Sequence, residues 1–167
     1  SKKTNFLDYG SNLLALSNLV SKINLKTFNI YIYNPFSKKK ITKNPFKVSI
    51  IQNQKKLKNK IFDVINFGSC IQYMEDFRII ENFLNLSKLS TVIITHTPLT
   101  LNNKYISKQS NHKNLNQTIH NYTSILSFFE KKKFKLIFKS RNEDKYIACA
   151  NKKPKTYSLN LIFTKKK

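Results

Sequence analysis

Short apolar runs rich in β-branched and aromatic residues alternate along this chain with segments whose apolar residues recur every three or four positions. That alternation constrains the fold more than any other feature. "NFLD" (Asn5–Asp8), "TFNIYIY" (Thr27–Tyr33), "FKVSII" (Phe46–Ile51), "IFDVINF" (Ile61–Phe67) and "STVIITH" (Ser90–His96) read as strands. "NLLALSNLVSKI" (Asn12–Ile23) places Leu13, Leu16, Leu19, Val20 and Ile23 at helical spacing. "DFRIIENFLNLS" (Asp76–Ser87) does the same with Phe77, Ile80, Phe83 and Leu84. A polar stretch from Thr97 to Gln117 reads as a loop, and Thr118–Lys133 as a helix. Phe134–Ser140 reads as a strand, with Lys145–Ala150 and Tyr157–Thr164 extended. Strands alternating with helices predict an α/β fold: a mostly parallel sheet with helices on both faces. The C-terminal strands, with no long helix between them, predict an antiparallel hairpin at one edge.

A chain of 167 residues suits one domain, and we expect residues 1–167 to form it. The first residue is Ser1 rather than Met, which suggests a fragment or a processed product. No apolar run is long enough to span a bilayer, and "SKKTNFLDYG" contains no apolar signal core. Cys70 and Cys149 are isolated, which predicts free thiols in a reducing, cytoplasmic setting and no metal.

The formal net charge of +23 invites a nucleic-acid reading. Against it, the only arginines are Arg78 and Arg141. Arg is the side chain best suited to bidentate phosphate and base contacts. The lysines fall in every segment, among many Asn and Ile, as an A+T-rich genome tends to write. Solvated faces account for them better than a dedicated polyanion site, so nucleic acid is a possible but not a favoured partner.

Open parallel sheets bind ligands beyond the carboxyl ends of their strands. The loops to inspect are Asp8–Asn12, Asn34–Phe36, Gln52–Asn53, Gly68–Tyr73 and His96–Leu99. In "DYGSN", Gly10 allows a tight turn and a close backbone approach, and Asn12 can cap the following helix. Asn34 precedes Pro35 and suits a turn. In "GSCIQYM", Gln72 can donate and accept, and Tyr73 offers a ring and a hydroxyl; Met74 suits a packing role. His96 stands where a general base could act, although a lone His at a strand end is more often structural. His112, in a polar stretch, and His120, on the expected helix, lie at no metal-ligand spacing.

Three stretches, "FLDYGSNLLAL", "FDVINFGSCIQYMEDF" and "VIITHTPLT", resemble the class I S-adenosylmethionine (SAM)-dependent methyltransferases. Within them, the chain is most similar to a group associated with bacterial surface-polysaccharide gene clusters. The resemblance runs from Asn5 to about Lys165. It implies a Rossmann-like, seven-stranded sheet whose last two strands form the hairpin. Such folds usually carry a helical segment before the first strand, which we expect this sequence to lack. The resemblance also implies SAM as cofactor, held by Asp8, Gly10, Ser11, Asn12, Asn34, Gln52, Asn53, Gly68 and Ser69. The helix start after Gly10 would face the methionine carboxylate. Asn34 stands where the family places an acidic residue for the ribose hydroxyls. Gln72 and Tyr73 would line the acceptor pocket. The implied acceptor is a small molecule or glycan, such as a sugar hydroxyl of a cell-surface polysaccharide. Two other readings stay open: a non-catalytic module with a decayed cofactor site, and a nucleic-acid methyltransferase.

Overall fold

The computed structural model describes residues 3–10, 27–35, 48–58, 60–85, 88–109, 112–142 and 156–166. Five strands run parallel: β1 (Thr4–Tyr9), β2 (Phe28–Tyr33), β3 (Ser49–Ile51), β4 (Val64–Gly68) and β5 (Thr91–Thr100). Their spatial order is β3-β2-β1-β4-β5, so β1 is central. Each is built from the apolar runs predicted as strands. The expected helix Asn12–Ile23 and the extended segment Lys145–Ala150 lie outside the described residues.

The last two strands behave as expected. β9 (Thr156–Lys165) lies antiparallel against β5 and against β8 (Phe134–Asn142). β8, β9 and the five parallel strands make up the anticipated seven.

The structure corrects the reading of the polar stretch Thr97–Gln117 as a loop. β5 continues to Thr100, and two further strands follow: β6 (Tyr105–Gln109) and β7 (His112–Asn121). They pair with each other as an antiparallel hairpin, which brings the sheet to nine strands among the described residues. Asn, Lys and Gln are poor strand formers on their own, so nothing in their pattern announced a strand. Here the partner strand supplies the pairing. The predicted helix start at Thr118 is also corrected. Thr118–Asn121 finish β7, and the helix runs over Tyr122–Lys131. Asn121 stops the strand and caps the helix, its Oδ1 accepting from the Ser124 N–H at 2.7 Å.

Register fixes where the hairpin sits. β4 pairs with Thr91–Thr95 of β5, and β7 pairs only with Leu99 and Thr100. β9 occupies the other edge of β5 along its whole length. The hairpin therefore follows β4 along the same edge, over the turn that leaves Gly68.

Helices in the described residues are α1 (Lys55–Lys58), α2 (Arg78–Leu84) and α3 (Tyr122–Lys131). Ile80, Phe83 and Leu84 of α2 and Ile125 and Phe129 of α3 bury against one face of the sheet. That face presents Leu7, Tyr9, Ile65, Phe67, Val92, Ile94, Leu161 and Phe163. Phe129 stacks on Phe163 with ring centroids 4.0 Å apart. Burying each such side chain stabilises the fold by about 1.5–3 kcal/mol. The opposite face carries a smaller cluster of Phe6, Ile30, Ile32 and Val48.

Candidate functional site

At the carboxyl edge, β1 is followed by Gly10, whose N–H donates to the Tyr33 carbonyl at 2.7 Å. Gly10 has φ +98°, in the region that favours glycine. A Cβ added there would lie 2.4 Å from the Cys70 Cβ, 2.8 Å from its Sγ and 3.1 Å from the Gly68 carbonyl oxygen. Glycine thus lets the turn after β1 lie directly against the turn after β4. Ser69 has φ +50°, and its N–H donates to the Thr95 carbonyl at 3.0 Å. The chain then closes a 3-10 turn over Ile71–Tyr73, in which the Met74 N–H donates to the Ile71 carbonyl at 2.9 Å.

These turns surround a cleft of about 510 Å³, lined by Gly10, Asn34, Ser69, Tyr73, Leu115 and Asn116. That volume lies within the roughly 300–1,000 Å³ typical of small-molecule sites. Of the residues predicted from sequence, the structure brings Gly10, Asn34, Ser69 and Tyr73 to this one place. Leu115 and Asn116 were missed, because they belong to the hairpin that was read as a loop.

The hairpin is tied to the 3-10 turn. The Tyr73 hydroxyl donates to Gln109 Oε1 at 3.0 Å. Burial raises the Tyr73 pKa, so the phenol stays protonated and able to donate. His120 Nε2 lies 3.2 Å from the Ile71 carbonyl oxygen and 3.1 Å from that of Met74. Both partners only accept, so Nε2 carries the proton and donates to them. The ring also meets Phe77, with centroids 5.0 Å apart. Burial lowers the His120 pKa and keeps the imidazole neutral. Lys104 Nζ adds a bond to the Glu75 carbonyl at 3.2 Å. His120 is thus a positioning residue for the turn. Its role was hidden in the sequence because Thr118–Lys133 reads as a helix, whereas His120 lies in β7.

The remaining predicted residues lie elsewhere. Asp8 is buried within the sheet, its Oδ1 accepting from Asn66 Nδ2 at 2.9 Å across the β1–β4 pair. Gly68 ends β4 beneath Gly10. Gln72 is buried outside the cleft lining, and among the described residues its Oε1 has no hydrogen-bond partner. Gln52 and Asn53 are exposed before α1, where Asn53 Oδ1 accepts from the Lys55 N–H at 2.9 Å. His96 does not stand in a loop after β5. It sits at a bulge within that strand, with φ +49°, and its N–H donates to Asn160 Oδ1 at 2.9 Å. Its exposed ring meets the Asn142 amide at 3.2 Å and does not line the cleft. Ser11, Asn12 and Cys149 lie outside the described residues. Among the described residues no cluster of His, Cys, Asp or Glu could hold a metal, and no helix is long and apolar enough to cross a membrane.

No protein-family model matches the chain, and no curated protein sequence matches it. Solved structures do. A magnesium protoporphyrin IX methyltransferase from Synechocystis, with bound SAM, superposes with a TM-score of 0.61 at 10% identity, covering 99% of this chain and 71% of that one. A SAM-dependent methyltransferase from Methanosarcina mazei gives 0.61 at 12% identity, covering 99% and 93%. A glycopeptide N-methyltransferase complexed with SAM gives 0.59 at 9% identity, covering 98% and 82%. At these identities the likeness establishes the architecture, and the fold is the Rossmann-like fold of the class I SAM-dependent methyltransferases.

Proposed function

We propose that the chain binds SAM in the cleft at the carboxyl edge and transfers its methyl group to a small acceptor. The observation that carries this reading is the convergence of Gly10, Asn34, Ser69 and Tyr73 on one cleft. The turns after β1, β2 and β4 supply them, which is where an open parallel sheet takes its ligand. The cleft has the size for a nucleoside-bearing cofactor, and its amides and hydroxyls can meet the polar atoms of one. Its lining departs from the family in one respect. Asn34 offers the ribose an uncharged acceptor in place of a carboxylate, and the hydrogen bonds are weaker for it. The missing Cβ of Gly10 is accounted for by Cys70 itself, so the glycine alone says nothing about a ligand.

Bound SAM supplies an electrophilic methyl group on a sulfonium. The chain's part is to orient and to exclude water. Tyr73, held by Gln109, fixes one wall of the cleft, and Leu115 and Asn116 form the wall beside it. Neither His96 nor His120 lines the cleft, so the rate enhancement would come mainly from positioning. As acceptor we propose a sugar hydroxyl of a cell-surface glycan, supported by the sequence resemblance alone. Similar folds act on diverse acceptors, with names that include a glycopeptide, didemethyltoxoflavin and 16S ribosomal RNA.

Titration calorimetry of the folded chain with SAM and with S-adenosylhomocysteine tests the reading. Saturable binding of both, weakened by Asn116→Leu, is expected; absence of binding to either overturns it. Asn34 favours a second reading, a non-catalytic module whose cofactor site has decayed. In that case wild-type protein binds neither compound, and Asn34→Asp with Asn12→Gly creates affinity. Charge favours a nucleic-acid methyltransferase, but among the described residues no Lys or Arg lines the cleft. Many of the described lysines stand instead on α1, around the hairpin, and on α3, β8 and the end of β9.

A further inference from the structure

A second cavity opens at the carboxyl edge, on the β9 side of β5, away from the cleft. It has a volume of about 330 Å³. Its floor is apolar, formed by the buried Leu99 and Leu159. Tyr122, at the start of α3, and Tyr157, at the start of β9, wall it. Lys139 and Arg141 stand at its rim on β8. They are two residues apart on one strand, so they share a face at a spacing of about 6.6 Å.

Each cation is seated on a ring of the same cavity. Lys139 Nζ lies 5.4 Å from the Tyr122 ring centroid, and Arg141 Cζ lies 4.6 Å from that of Tyr157. The rings restrict the two side chains without neutralising them. Among the described residues neither cation meets a carboxylate, and none lines the cavity. An unpaired lysine is unremarkable in a chain with 31 basic and 8 acidic residues. A pair of ring-seated cations around an apolar concavity is a different matter. An apolar floor selects a flat hydrophobic body, and a guanidinium beside an ammonium selects one phosphate or carboxylate on it.

We propose that this cavity binds a small amphiphilic anion: a flat apolar body carrying one phosphate or carboxylate group. The site is separate from the SAM cleft, and the proposal does not depend on the methyltransferase reading.

The test uses the full chain without SAM, with phenyl phosphate as probe and phenol and inorganic phosphate as its two halves. Calorimetry should show phenyl phosphate binding at millimolar concentrations or below, with each half at least roughly tenfold weaker. Arg141→Gln and Lys139→Gln should each weaken binding roughly fivefold or more, while Lys88→Gln, remote from the cavity, leaves it unchanged. All three side chains are exposed, and unchanged melting curves establish that the variants fold. Absence of phenyl phosphate binding overturns the proposal, as does an equal loss with Lys88→Gln, which would mark diffuse charge attraction. Glu143 and Asp144, the next acids along the chain, lie outside the described residues. If binding arises only in the double variant Glu143→Gln, Asp144→Asn, the two cations serve the chain's own acids and the proposal fails.

Discussion

Gly10 and Cys70 meet so closely that any side chain at position 10 forces one of the two turns to shift: an added Cβ would stand 2.4 Å from the Cys70 Cβ. Cys70 returns the contact, its thiol donating to the Tyr9 carbonyl at 3.3 Å. The two turns that frame the cleft therefore depend on one missing side chain.

Gly10→Ala should destabilise the fold by about 1–3 kcal/mol through overpacking, with further strain from the positive φ. Urea unfolding measures the loss. Cys70→Gly removes the clashing atoms and should restore part of the stability of Gly10→Ala. A Gly10→Ala variant as stable as wild type would disprove the contact.

The Cys70 thiol should be inert in the native state. It is buried, and burial with the nearby Asp8 carboxylate raises its pKa. In a Cys149→Ser background, Ellman's reagent should find no fast thiol until denaturant is added. Rapid labelling of native protein would contradict the burial.

His120 should make the fold acid-sensitive. Its folded pKa lies below the ordinary value of 6.5, because burial disfavours the imidazolium. The unfolded chain thus takes up the proton first as pH falls. Stability is fully present above about pH 6.5 and declines as pH drops through the lowered pKa. His120→Gln keeps an N–H donor for Ile71 and Met74 and removes the titration. Its melting temperature should change less than that of wild type between about pH 7 and 5.

Asn34→Asp should tighten SAM binding roughly fivefold, since a hydrogen bond to a charged acceptor is worth about 1 kcal/mol more than one to a neutral acceptor. Calorimetry on the two proteins compares them directly. Weaker binding by the variant would place the ribose elsewhere.

Most of the sheet was legible in the sequence, and for a specific reason. β1, β2, β4 and β5 are apolar on both faces, each face buried or half-buried, so Phe6, Leu7, Ile30, Ile32, Val64, Ile65, Phe67, Val92, Ile93 and Ile94 leave dense apolar runs. The hairpin was not legible. β6 and β7 contain Lys108, Asn116 and Gln117, which reveal no strand until each finds its partner across the hairpin. That error then spread to the site. It cost Leu115 and Asn116 their place in the cleft and put His120 on a helix. Gly10 and Ser69 could be placed because a glycine or small residue after an apolar strand marks a turn. Asp8 was read as facing a ligand because it ends an apolar run. Strand alternation puts it instead beside Asn66, on the face opposite Tyr9.

The position of β9 has a consequence for how the protein is made. The strand that fills the gap between β5 and β8 is the last of the described strands to leave the ribosome. Until Thr156–Lys165 emerge, Thr91–Thr100 offer a long open edge of backbone donors and acceptors to any neighbouring chain. Nascent chains stalled before Thr156 are then the species most exposed to aggregation, and a chaperone that shields that edge would act before the sheet can close.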